Sequence, residues 1–153
     1  MELGQFRTIY KTTIVMANPR AFISFDYDNN SGQKLYFAGQ AGNSKTPFNI
    51  EDWSSKTTLP QKEWEELIHA KINKCNMLIV LVGRSMSSAT GVAKEIAFAK
   101  EHNVPVFGIY VDDANSTSNL PTGLQRNRTI NWNWVSIANA IDQMMTEGKN
   151  KAS

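Results

Sequence analysis

The sequence predicts a doubly wound α/β domain, a parallel sheet covered by helices on both faces. Three observations carry that prediction. The run "MLIVLVG" (77–83) is apolar without interruption and ends on a glycine, as strands buried on both faces do. A second run of the same kind, "VPVFGIYV", occupies 104–111. Between them "GVAKEIAFAKEH" (91–102) carries Val92, Ile96 and Ala99 at helical spacing. Strand, helix and strand joined by short loops is the pattern of a parallel crossover.

The remaining elements follow in order. "RAFISF" (20–25) is a short aromatic and β-branched run and reads as the first strand, and the polar cluster "DYDNNSG" (26–32) reads as the loop that closes it. "QKLYFAGQAGNS" (33–44) is a glycine-marked helix candidate, and "PFNIEDW" (47–53) alternates as a strand. In 54–75, Pro60 suits a first helical turn, with Glu63, Glu65 and Glu66 early and Lys71 and Lys74 late, a charge order that complements the helix dipole. Trp64, Leu67, Ile68 and Ile72 form its expected buried face. "DDANSTSNLPTG" (112–123) is too polar to pack and reads as a loop. "NWNWVSIANAIDQMM" (131–145) reads as the last helix, with Trp134, Ile137, Ile141 and Met144/Met145 on one face.

Bulk properties exclude several classes. With 153 residues, 41% of them hydrophobic and 20% charged, the chain fits one soluble domain with a full core. The expected organisation is an N-terminal extension at 1–18, a domain at 19–147 and a tail at 148–153. A net charge of +2 without a Lys/Arg stripe gives no support for a nucleic-acid partner. No apolar stretch approaches the roughly 20 residues that span a bilayer, and the leader is a poor signal peptide, so a cytoplasmic protein without a membrane partner is expected. The single cysteine, Cys75, fits a reducing compartment and reads as a small buried side chain.

In a doubly wound sheet, ligands bind beyond the carboxyl ends of the strands, where strand order reverses. That rule gathers "DYDN", "DWSS" and "GRSMSS" into one crevice, with Glu95 on the helix entered through the third segment. The sequence has neither a phosphate-loop nor a dinucleotide-binding glycine pattern. His69 and His102 lie on different helices without ligand spacing and read as surface or packing residues, so no metal is expected. A phospho-receiver would need an aspartate where Gly83-Arg84 stands. A lone carboxylate flanked by hydroxyls and amides suits chemistry through an oxocarbenium-like centre, where Glu95 can act as nucleophile, stabilise positive charge or hold ribose hydroxyls. A second acid is unnecessary when the leaving group is already cationic, as nicotinamide is in NAD.

"RAFISFDYDN…FNIEDWS…KINKCNMLIVLVG…VAKEIAFAKEHNVPVFGIYV" resembles the bacterial TIR-like family, in the branch that includes the TIR protein of the Thoeris anti-phage system. The resemblance runs over about residues 20–145. It is carried most specifically by the opening F-I-S-F-x-Y-D-N, the strand ending in Gly83 and the V-x-K-E-I segment at 92–96. It implies a five-stranded flavodoxin-like sheet and cleavage of NAD, as substrate rather than cofactor, at the nicotinamide–ribose bond. In this branch the ADP-ribose part is cyclised into a signalling nucleotide that activates a partner effector. Carried onto this chain, the resemblance makes Glu95 the catalytic residue, with Phe25 and Asp26 lining the pocket, Trp53 and Ser54 covering the nucleotide and Arg84 meeting the diphosphate. It further implies self-association, a phage-derived trigger and low resting activity. One departure stands out: many members have a tryptophan where this chain has Gly91. For Asp26 and Asp28, capping of the next helix or a turn is the alternative.

Two other readings remain open. Nucleoside deoxyribosyltransferases share a similar sheet and place a glutamate on a helix after a Gly-Thr-rich turn, which "ATGVAKEIAFA" echoes. A TIR-like scaffold that assembles with partners and catalyses nothing is the third. Release of nicotinamide separates them.

Overall fold

The computed structural model describes residues 18–43, 48–55, 58–84 and 86–149. Five parallel strands form one sheet in the order β2-β1-β3-β4-β5. They are β1 (Arg20–Ser24), β2 (Asn49–Trp53), β3 (Met77–Val82), β4 (Val106–Tyr110) and β5 (Thr129–Ile130). The helices are α1 (Tyr27–Asn43), α2 (Gln61–Asn73), α3 (Thr90–Glu101) and α4 (Trp134–Glu147). This is the expected doubly wound, flavodoxin-like α/β fold.

The core explains the run at 77–83. Every residue of β3 is buried, and its side chains alternate between two apolar layers. Leu78, Val80 and Val82 join Phe22, Ile68 and Ile72 of α2, and Val92, Ile96 and Ala99 of α3. Met77, Ile79 and Leu81 face Phe37 of α1 and Ile137, Ile141 and Met144 of α4. The second layer is pinned by Gln40, whose Oε1 accepts from the indole Nε1 of Trp132 at 2.9 Å and of Trp134 at 3.0 Å. Cys75 is buried as expected, and burial pushes its thiol up to about 12, which leaves it unreactive.

Several expectations are corrected. Of the segment 26–32, expected as a loop, residues 27–32 form the first turns of α1. Asp26 Oδ1 caps the helix start by accepting from the Asp28 N–H, and Ser31 Oγ bonds back inside the helix to the Tyr27 carbonyl at 2.6 Å. Leu67 is exposed at 42%, because the stripe that faces the sheet from α2 is centred on Ile68 and Ile72. Met145 is exposed at 41% while its neighbour Met144 is buried. The last helix starts at Trp134 rather than 131, where Asn133 Oδ1 caps the Val135 and Ser136 N–H groups. Strand β5 has only two residues, too short for any pattern to reveal it. The expected extension at 1–18 lies outside the described residues apart from Asn18, as does the expected tail beyond Lys149. Among the described residues, no helix is long and apolar enough to cross a membrane.

Candidate functional site

The strand order reverses between β1 and β3, so the crevice beyond their carboxyl ends is the place where this fold takes ligands. Helix α3 starts at that edge, and Glu95 sits about one and a half turns into it. Val92, Glu95, Ile96 and Ala99 are its buried residues, spaced as one helical stripe. Glu95 therefore occupies a core-facing position and is only 1% exposed.

Two serines reach it. Ser24, the last residue of β1, donates from Oγ to Glu95 Oε1 at 2.6 Å. Ser54, just past β2, donates to the same oxygen at 2.5 Å. Ser24 has the strand parity of Phe22 and so points to the α2/α3 side of the sheet. Ser54 is placed by an irregularity: Ala21 pairs with Ile50 but Phe22 with Asp52, so Glu51 is an extra residue in β2. That shift brings Trp53 level with Ile23, and the Ser54 N–H then donates to the Ile23 carbonyl at 2.9 Å. Ser54 Oγ also accepts from the Phe25 N–H at 3.1 Å, which leaves its proton for Glu95.

Burial pushes Glu95 up to about 7, against the opposing effect of the two serine hydrogen bonds. A carboxyl group held near neutrality in a crevice can serve as acid, base or charge stabiliser at physiological pH. Replacing Ser24 or Ser54 by alanine removes a donor to the ionised form. Each substitution is expected to raise the titration midpoint of the Glu95 carboxyl resonance by about one unit in NMR. A midpoint unmoved in both variants would show that the serines do not act on the charge.

The other expected site residues divide. Trp53, 40% exposed, ends β2 with its ring under α1, Lys34 Nζ lying 4.1 Å from its ring centroid and 5.8 Å from that of Phe25. Phe25 is buried in the α1/α4 layer, and its backbone N–H is its link to Ser54. Asp26 is engaged at the start of α1, its carbonyl accepting from the Asn30 N–H and its Oδ2 from Asn29 Nδ2 at 2.6 Å. Arg84 lies past β3 and forks onto Asp112 at 3.3 Å for both nitrogens. It is exposed and already paired. Gly91 is exposed, with open space where a side chain would start.

Three residues of this region were missed: Ser24, Lys34 and Asn30. Ser24 had a signal, a lone hydroxyl following the apolar Ala21, Phe22 and Ile23. Lys34 and Asn30 had none, since their places depend on how α1 packs over the sheet. Asn30 is 1% exposed, its backbone leaves helical geometry (φ −126°, ψ 18°), and its Oδ1 has no hydrogen-bond partner among the described residues. Its carboxamide rests against Gly83, where an added Cβ would come within 2.5 Å of Nδ2 and 2.7 Å of Cγ. The strand-ending glycine is thus a requirement of the neighbouring helix. A separate cleft of about 630 Å³ lies at the opposite edge, lined by Val104, Leu124, Arg128 and Glu147 among others, and it contains none of these residues.

Residues 22–116 match the family model described as Thoeris protein ThsB, TIR-like domain. The crystal structure of a prokaryotic SEFIR domain aligns with 13% identity and a TM-score of 0.47, covering 84% of this chain and 91% of that chain. No curated protein matches the sequence.

Proposed function

From the premise that this chain belongs to the Thoeris ThsB TIR-like family, we propose that it is an enzyme of anti-phage defence that cleaves NAD at the nicotinamide–ribose bond. The observation that carries the reading is Glu95: a buried carboxyl at the sheet's switch point, oriented by two serines and held near pH 7. A buried carboxylate costs folding free energy, so its retention in an apolar stripe supports a chemical role.

In this mechanism nicotinamide leaves as a neutral base and the ribose carbon becomes electron-deficient. Both serines bind Oε1, and among the described residues Oε2 receives no donor, so Oε2 is the oxygen that meets the ribose. There it stabilises the positive charge, accepts from a ribose hydroxyl or attacks the carbon. Trp53 offers a stacking face for an aromatic base, and Lys34 over its ring offers a positive charge to the diphosphate. Arg84 would take that role only by exchanging Asp112 for the substrate. Capture of the ADP-ribose part by a group of the same molecule gives a cyclic nucleotide that activates a partner effector. Capture by water gives ADP-ribose. The reaction uses NAD as substrate and no further cofactor. Self-association and a phage-derived trigger belong to the same reading.

The test is incubation of the purified protein and its Glu95→Gln variant with NAD at high protein concentration, with and without lysate from phage-infected cells. Mass spectrometry follows the products. Nicotinamide is expected from the parent and at least about 100-fold less from the variant. A second product lighter than ADP-ribose by one water identifies cyclisation. If neither condition yields nicotinamide from the parent, the reading falls and assembly without catalysis takes its place.

A further inference from the structure

Away from the sheet edge, the fold assembles a group of side chains that the sequence spacing had separated. His69 on α2 and His102, the residue that ends α3, bring their rings together, with Nδ1 of His69 2.9 Å from Nε2 of His102. Glu101 Oε1 lies 3.6 Å from the same Nδ1. The three ligand atoms all fall within 4.8 Å of one another. We propose that His69, Glu101 and His102 form a binding site for a divalent transition-metal ion, zinc above all, that clamps α2 to α3.

The geometry fits the ion. With metal–ligand bonds of about 2.0–2.2 Å, a tetrahedral zinc holds neighbouring ligand atoms about 3.3 Å apart. Two of the three separations, 2.9 and 3.6 Å, bracket that spacing, and the third, between His102 and Glu101, is no more than 4.8 Å, a gap that rotation of the exposed Glu101 side chain closes. Two imidazoles and one carboxylate are the donor set that zinc accepts, with a fourth position left to water. Both rings ligate as neutral imidazoles, the shared N–H moving to the far nitrogen of its own ring. The His69 ring is held in place against Phe98, with centroids 3.8 Å apart, so less side-chain freedom is lost on binding. One turn earlier on α2 and two turns earlier on α3, Glu65 and Lys94 bridge the same two helices at 3.0 Å. Since α3 also carries Glu95, the ion would stiffen the helix that positions the buried carboxyl.

The experiment uses the untagged full chain, stripped with a chelator and titrated with zinc against a chromophoric competitor, and with cobalt(II) as a visible probe. Micromolar zinc is expected to bind one per chain and to raise the melting temperature by several degrees. Cobalt is expected to give the intense visible bands of a tetrahedral ion. His102→Ala should weaken zinc binding by at least about 100-fold, and Glu101→Gln by about tenfold. Glu101 is exposed, so that variant keeps the fold and reports on the ligand alone. Absence of zinc binding in the parent, or binding retained by both variants, overturns the proposal. Neither outcome depends on whether the protein cleaves NAD.

Discussion

The Glu95→Gln variant is expected to be more stable than the parent by roughly 3 kcal/mol at about pH 8 and equal to it at about pH 4. The sign follows from the raised carboxyl: its ordinary value is 4.5 and burial lifts it to about 7 in the folded chain. Below the lower value both folded and unfolded chains carry the proton, and the group contributes nothing to pH dependence. Between the two values the unfolded chain releases the proton while the folded chain keeps it, so stability falls as pH rises. Above about 7 both are ionised and the cost is constant. Glutamine does not titrate, and its carbonyl can still accept from Ser24 and Ser54, so its stability curve lacks this fall. The figure is an upper bound, since the new amide group must also find an acceptor. Urea midpoints collected from pH 4 to pH 9 measure the difference. Parallel curves for the two proteins would show that Glu95 titrates normally, and with that the electrostatic case for the site would be lost.

Gly83→Ala is the second large effect expected, a loss of roughly 1–3 kcal/mol. The new methyl group would sit on the Asn30 carboxamide, which is buried and has no solvent to swing into. Asn30 lies in the kinked part of α1, so the clash is passed to the start of that helix. The partner substitution Asn30→Ala removes both the clash and an acceptor that has no donor, which limits its own cost. The double variant should therefore recover most of what Gly83→Ala loses, with a coupling of at least about 1 kcal/mol in a double-mutant cycle. Additive losses would mean that the glycine is needed for its backbone alone.

The elements were readable because their signals are local. An uninterrupted apolar run marked β3, and positions three and four apart marked the inward faces of α3 and α4. The inward stripe of α3 includes residue 95, so the burial of Glu95 was already present in the helical period. The motifs around it carried the family resemblance, and the family match bears that out. The start of α1 departs from the expected loop because its polar residues are turn formers, and here Asp26 caps the helix while Asn29 and Ser31 bond locally within its first turns.

What the sequence by itself determined, then, is the four longer strands, the body of each helix and most of the residues on their apolar faces, with Glu95 on the helix that enters the crevice. The tertiary structure decided what that carboxylate touches. Ser24 and Ser54 meet on Glu95 across 71 and 41 residues of chain, and only because a bulge at Glu51 advances β2 by one residue. The fit of Asn30 on Gly83 and the meeting of His69 with His102 have the same origin. Periodicity records how a residue relates to its own helix or strand, over a few positions. Contacts between elements depend on strand register and on how helices cross the sheet, which packing of the whole core selects.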